Sequence, residues 1–434
     1  MKPFTLGIIA GSMIAVAAVL LPTGSARVEG LVVHEWGTFT CLQDEDGRAI
    51  GGINTDDEPV PRFVHNLAAT LLIPPPDTPK GVGRCHPDVT MRLETPVLYF
   101  HLPEFQTEPL TVSVDVEFHG GWLTQFYPVA DAVAPGVEPE GRFGHLRSDT
   151  VGRLAWPALA VGTNAKGPDT TERVWTSPRA VQAASVTTAD NESEKFLFYR
   201  GVGHINAPLR VVRDPIHDQL SLYSQSASTF PSESPLVVRN LWLTEIHPDG
   251  SSAFRRLAPV TLTGNSDELL ATTSASFPAD EFSPQNAARF RAEMHQALVG
   301  EGLLDDEADA LLNTWELSYF KSAGARLFFI VPRAWTDRYL PLRVSVPART
   351  ERVMMGRVEL ITPAQRRLLA KIATDPAPDL QSAGGAAPQV YQEYLDLGRF
   401  RNALILDEES RRPTAALHDF IDKNALGGYD VSSR

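Results

Sequence analysis

The chain has 434 residues, 43% of them hydrophobic and 21% charged, with a formal net charge of −14. This is ordinary globular composition, long enough for two domains and a large core, and it excludes a disordered or fibrous chain. The acidic balance, with no run of five basic residues, argues against a nucleic-acid partner, whose phosphates need a basic stripe.

Lys2, the apolar run from Phe4 to Leu21 and the small residues Gly24 and Ala26 read as a secretory signal peptide over residues 1–26, cleaved after Ala26. The run is long enough to serve instead as an uncleaved anchor. Cleavage ranks first because the small-residue site follows at the spacing a signal peptidase needs. No later segment is apolar enough to span a membrane. The expected location is therefore periplasmic or extracellular. Export places the only two cysteines, Cys41 and Cys85, in an oxidising compartment, where one intrachain disulfide is expected. Neither belongs to a Cys-x-x-Cys pair, so redox catalysis is not expected.

Val33-His34-Glu35-Trp36-Gly37-Thr38-Phe39-Thr40 opens the mature chain as a strand without clean alternation. Strand periodicity puts His34, Trp36 and Thr38 on one face and Glu35, Gly37 and Phe39 on the other. Three carboxylates in Asn54-Thr55-Asp56-Asp57-Glu58-Pro59 suggest Ca²⁺ ligands, but the spacing is not that of an EF-hand loop and a solvated turn fits better. Met91 to His101 is a second dense stretch, where Pro96 demands an edge strand or a bulge. Leu110 to Phe118 alternates strictly and is a half-buried strand, with Gly120-Gly121 expected to turn as a hairpin into Trp122 to Tyr127. Further strands are expected at 151–156, 194–200, 207–213, 218–223, 235–247 and 252–261. Their spacing points to an antiparallel β-sandwich over 27–280.

Beyond about residue 280 the composition changes. Helices are expected from Ser283-Pro284 to Leu298, from Asp305 to Tyr319 and from Thr362-Pro363 to Ala373, with strands at 325–331, 341–346 and 352–361. These make a smaller α+β part over 281–374, packed on the first. A Pro/Ala/Gly-rich linker over 375–390 and a helical tail over 391–434 complete a β-rich (α+β) fold.

Four stretches, the Val33–Thr40 motif, Arg92-Leu93-Glu94-Thr95-Pro96-Val97-Leu98-Tyr99-Phe100, Phe196-Leu197-Phe198-Tyr199-Arg200-Gly201 and Ala325-Arg326-Leu327-Phe328-Phe329, together resemble an uncharacterised family of exported bacterial proteins. The resemblance covers most of the mature chain to about residue 362. It implies export and one architecture, and it assigns no activity.

The signatures of serine hydrolases, P-loop enzymes and His-Glu-x-x-His metalloproteases are absent, since His34-Glu35 is followed by Thr38 where the second His would stand. Two constellations remain. His34, His65, His86, His101, His119 and His145 fall within one stretch and could converge on a divalent metal ion, although their spacings match no ligand pattern and scattered surface or core histidines are the better account. Glu35 and Glu94 could form an acid–base pair near His34, with Arg200 and Arg326 fixing an anionic or carbonyl group, or each arginine could sit in a structural ion pair. Trp36, Tyr99, Tyr127, Tyr199 and Trp315 would suit a sugar or peptide groove, or a large core. The first expectation is a hydrolase-like enzyme with His34, Glu35, Glu94, Arg200 and Arg326 in one site, metal-assisted or not. The second is a non-catalytic module for a small-molecule, glycan or protein ligand.

Overall fold

The computed structural model describes residues 30–56, 58–73, 84–138, 142–225, 235–376 and 393–424, with Leu426 and Val431. The expected signal segment and nearly all of the expected linker lie outside them. The strand Val32–Gln43 occupies the middle of a large mixed sheet. It runs antiparallel to Met91–His101 on one side and parallel to Arg349–Leu360 on the other. Outward from Met91–His101 come Leu197–Gly203, Gly121–Tyr127 and Val151–Thr163; outward from Arg349–Leu360 come Gly324–Ile330, Leu241–Ile246 and Ser252–Leu257. The fold is β-rich α+β with a helical C-terminal region. Strands from both sides of residue 280 share one sheet, so no sheet boundary falls there.

Central position explains the missing alternation. Every residue from Val33 to Gln43 is buried, because both faces of the strand are covered. One face packs into an apolar cluster with Val33, Phe39 and Cys41. On the other, Trp36 belongs to an aromatic cluster capped by the helices Asn286–Gly300, Asp305–Thr314 and Glu316–Phe320, and Leu42 to a second cluster under the helices Pro363–Ile372, Arg401–Arg411 and Ala415–Lys423. Between these two clusters the face is polar.

Met91–His101 is not an edge strand; of the two options Pro96 left open, it takes the bulge. The register jumps from Trp36↔Val97 to Thr38↔Glu94, and Thr95 takes a left-handed φ of 47°. One extra residue resets the period of two, so Arg92 and Glu94 face the same side as Val97, Tyr99 and His101. Gly37 is required opposite: a Cβ there would come within 3.0 Å of the Pro96 Cα. The two dense sequence stretches are thus fitted to one another at a single point.

The Gly120-Gly121 hairpin is not formed. Leu110–His119 pairs with Val151–Thr163 and Leu342–Val344, whereas Gly121–Tyr127 pairs with Leu197–Gly203 and His65–Asn66. The Phe118 ring fills the space that a side chain at Gly121 would take, which sends the two strands to different partners. The strand Leu269–Ser274 and the helices Arg173–Arg179 and Arg333–Tyr339 carry too short a pattern to be read from sequence.

The expected disulfide is absent: Cys41 and Cys85 are both free and buried. Cys41 points into the cluster beneath Phe39, while Cys85 lies against Gly52 beside Ala403, under the C-terminal helices on the opposite face. The sheet itself separates them. Burial pushes both thiols up to about 12, so neither forms a thiolate at neutral pH. Native protein should resist alkylation, and denatured, non-reduced protein should label two thiols; no label at all would restore the bridge.

Candidate functional site

The five expected residues do not meet in one place. His34 and Glu35, adjacent in a strand, leave on opposite faces. Glu94, Arg200 and Arg326 share the face of His34 but lie toward the other end of the strand, beside Thr38 and Thr40.

Glu35 is fully buried on the far face. Arg352, directly opposite in the parallel register, donates from Nε to Glu35 Oε2 at 2.5 Å, and the Tyr199 hydroxyl donates to Oε1. Arg352 also reaches Asp337 Oδ1 at 2.7 Å. Burial lowers the affinity of the Arg352 guanidinium for its proton, but Glu35 outweighs that and holds it charged; burial and the same carboxylate push the Tyr199 hydroxyl well above its ordinary range. This ion pair ties three strands together, with Arg352 Nη2 left without a hydrogen-bond partner among the described residues.

The polar layer on the His34 face is built from register. Thr40 pairs with Arg92 on one side and Arg357 on the other, Thr38 pairs with Glu94, and Leu42 with Glu359. Thr40 Oγ1 donates to Glu94 Oε2 at 2.6 Å, and Arg399, from the loop before the helix Arg401–Arg411, donates to both Glu94 oxygens. Arg326 Nε donates to Glu359 Oε1 at 2.8 Å, and Arg357 Nε to the same oxygen at 2.6 Å. Arg200 donates to Thr95 Oγ1, to Asp56 Oδ1 and to the Glu58 carbonyl. From above, the stacked rings of Trp315 and Tyr319 close the layer, Arg200 lying over the first and Arg357 over the second. Tyr319 and Thr38 share a hydroxyl hydrogen bond of 2.5 Å.

Five guanidinium groups (Arg92, Arg200, Arg326, Arg357, Arg399) thus stand in one layer with the carboxylates of Asp56, Glu58, Glu94 and Glu359 among the described residues. Burial would raise the Glu94 carboxyl, but Arg399, Arg92 and Arg357 outweigh it and hold it at about 2. Burial pulls Arg92 and Arg326 down from the usual guanidinium range, with neighbouring arginines adding to the effect. Several donors remain over. Arg92 Nε, Arg200 Nη2, Arg357 Nη1 and Trp315 Nε1 are buried with no hydrogen-bond partner among the described residues; Gln125 Oε1, opposite Arg200 in the register, is the acceptor in the same condition. A cleft of about 900 Å³ opens onto one end of this layer at Arg326, Glu359 and Arg399, with Arg213, Arg367 and Lys371 also on its walls.

His34 stands about half the strand away from Thr40. Its Nδ1 lies 2.7 Å from Glu307 Oε2, and His101 Nε2 lies 2.9 Å from Glu307 Oε1. Of the six candidate metal histidines these two converge. His65 pairs with Glu192, His119 with Glu117, His145 with Asp88, and His86 meets the Gly144 carbonyl. Among the described residues, the acidic loop contributes Asp56 to Arg200 rather than forming an oxygen cage. The five aromatics offered for a groove are all buried, so they are core.

Sequence reasoning missed Arg92, Glu307, Arg357, Glu359 and Arg399. Arg357 and Glu359 carried a readable signal, charges at alternate positions on an otherwise apolar strand. Glu307 carried none, since an acidic first turn of a helix is ordinary.

No family model matches this chain, and no curated protein matches it. Among solved structures, the yeast delta-COP-I mu-homology domain complexed with a Dsl1 WxWxV peptide aligns at 9% identity over 77% of this chain and 96% of that chain, with a TM-score of 0.24. A likeness at that level carries no argument.

Proposed function

We propose that the chain is an exported ligand-binding protein whose ligand is a small oxyanion, a carboxylate or phosphate compound, seated in the arginine layer. The observation that carries this reading is the set of buried guanidinium and indole N–H groups left without acceptors among the described residues, in a layer whose end at Arg326, Glu359 and Arg399 opens onto a cleft. Buried donors are ordinarily paired, and leaving a charged one unpaired costs more than leaving a neutral one. Planar guanidinium forks are the side chains best matched to carboxylate and phosphate oxygens.

A hydrolase-like enzyme is the weaker reading. His34 and Glu35 face opposite sides of the sheet, and Glu94, held at about 2 by its arginines, stays ionised and gives up no proton at neutral pH.

Inorganic phosphate and succinate, compared with chloride at equal ionic strength, test the proposal by thermal melting and titration calorimetry. Either anion should raise the melting temperature, because a ligand of the folded state alone stabilises it by mass action. Arg200→Lys and Arg357→Lys keep the charge and lose the fork, so affinity should fall at least about tenfold, the worth of one charge-assisted hydrogen bond. No shift with either anion, or equal shifts in parent and both variants, would overturn the reading.

A further inference from the structure

We propose that His34, His101 and Glu307 form a second, separate site that binds one divalent transition-metal ion. Their ligating atoms all lie within 4.8 Å of one another. Each comes from a different element: His34 from the central strand, His101 from its antiparallel neighbour, Glu307 from the first turn of the helix Asp305–Thr314. Register brings the histidines together. His34 stands opposite Tyr99 and Val32 opposite His101, so the two rings are diagonal neighbours on one face, 4.9 Å apart between centroids. Glu307 is placed independently: its Oε2 accepts the N–H of Leu304, the residue before the helix, at 2.9 Å. The three donors are therefore held by the fold before any ion arrives.

Donor chemistry selects the class of ion. Two imidazole nitrogens and one carboxylate are the set used for Zn²⁺ and Fe²⁺ with an open position, whereas Ca²⁺ and Mg²⁺ need more oxygens than the site provides. Ligands must also be free of protons. A carboxylate is ordinarily ionised at neutral pH, so Glu307 can serve as an anionic ligand. Each histidine needs only its other ring nitrogen to carry the proton. His101, with 18% of its side chain exposed, forms the entrance; His34 and Glu307 form the floor.

One feature sets the strength. A metal-bound histidine ordinarily donates its far N–H to an acceptor, and that partner is worth about ten- to a hundredfold in affinity. His34 Nε2 is buried and has no partner among the described residues. The site is accordingly of moderate affinity, and would exchange its ion with added metal.

The competing arrangement is a metal-free clamp, in which Glu307 accepts one hydrogen bond from each histidine and pins the helix to the sheet. The two are separated with the full chain, stripped by chelator and titrated with Zn²⁺, then with Co²⁺ for its visible d–d absorption, and with Ca²⁺ as control. One equivalent of Zn²⁺ should bind, Co²⁺ should give the absorption of nitrogen–oxygen coordination, and Ca²⁺ should give no saturable heat. His101→Ala, at the entrance, and Glu307→Gln, which keeps the cap acceptor, should each weaken Zn²⁺ binding at least about tenfold. Should Glu307→Gln lose its fold, judged by circular dichroism, His101→Ala alone decides. Absence of saturable Zn²⁺ binding in the parent chain, or unchanged affinity in His101→Ala, would leave the clamp and overturn the metal site.

Discussion

Glu94→Gln is expected to lower stability by about 3–5 kcal/mol, a large fraction of what holds a domain folded. The substitution is nearly isosteric, so the loss is electrostatic. Glu94 is 1% exposed and lies among Arg92, Arg357 and Arg399, with Thr40 donating to it as well. Removing its charge leaves those guanidinium groups in the interior with Asp56, Glu58 and Glu359 as the remaining counter-charges among the described residues. An exposed pair provides the contrast: Glu117→Gln, facing Arg343 at the surface, should cost no more than about 1 kcal/mol. Urea unfolding of both variants makes the comparison, and the double variant Glu94→Gln with Arg399→Gln should recover part of the loss, since it removes a stranded charge as well. Equal effects at Glu94 and Glu117 would mean that water screens the layer. Glu94→Gln should also tighten binding of phosphate or succinate, because an external oxyanion would no longer compete with an internal one.

The centre of this fold could be read from the sequence because a strand covered on both faces abandons the alternation that marks an ordinary half-buried one. Val33–Thr40 broke the pattern, and it is the middle strand. Local signals were equally dependable at Leu110–Phe118, where alternation ran unbroken, and at Thr362-Pro363, whose capping box starts a helix where expected. Parity along Val32–Gln43 correctly separated His34 from Glu35, yet a site was assembled from both, because adjacency in sequence was given more weight than the direction of the side chain.

What remained hidden was long-range pairing. Glu307 reaches His34 across 273 residues, and Arg352 reaches Glu35 across 317. No local pattern encodes such partners. The bulge at Thr95 is an intermediate case. Pro96 announced an irregularity, but only the pairing with Gly37 decided that it lay inside the sheet and restored Arg92 and Glu94 to the polar face. For the cysteines, reasoning from compartment alone ignored geometry: Cys41 shares its face with Phe39, and Cys85 belongs to a loop on the other side.

Acid should unfold this protein over a defined window. Glu94 and Glu307, ordinarily near 4.5, are both held at about 2 in the folded chain, the first by its arginines and the second by its two histidines, against the upward pull of burial. With depressed folded values, the unfolded chain takes up protons first. Their contribution is therefore complete above about pH 4.5 and is lost as the pH falls toward 2. A shift of this size is worth roughly 3 kcal/mol per group, so on the order of 6 kcal/mol should vanish across that window. Urea midpoints at pH 7, 4.5 and 3 should be similar for the first two and sharply lower for the third. Glu307→Gln should start less stable at pH 7 and lose less on acidification, since one of the two titrating groups is gone. A parent chain whose midpoint is unchanged down to pH 2.5 would show that neither carboxylate is held by the partners described for it.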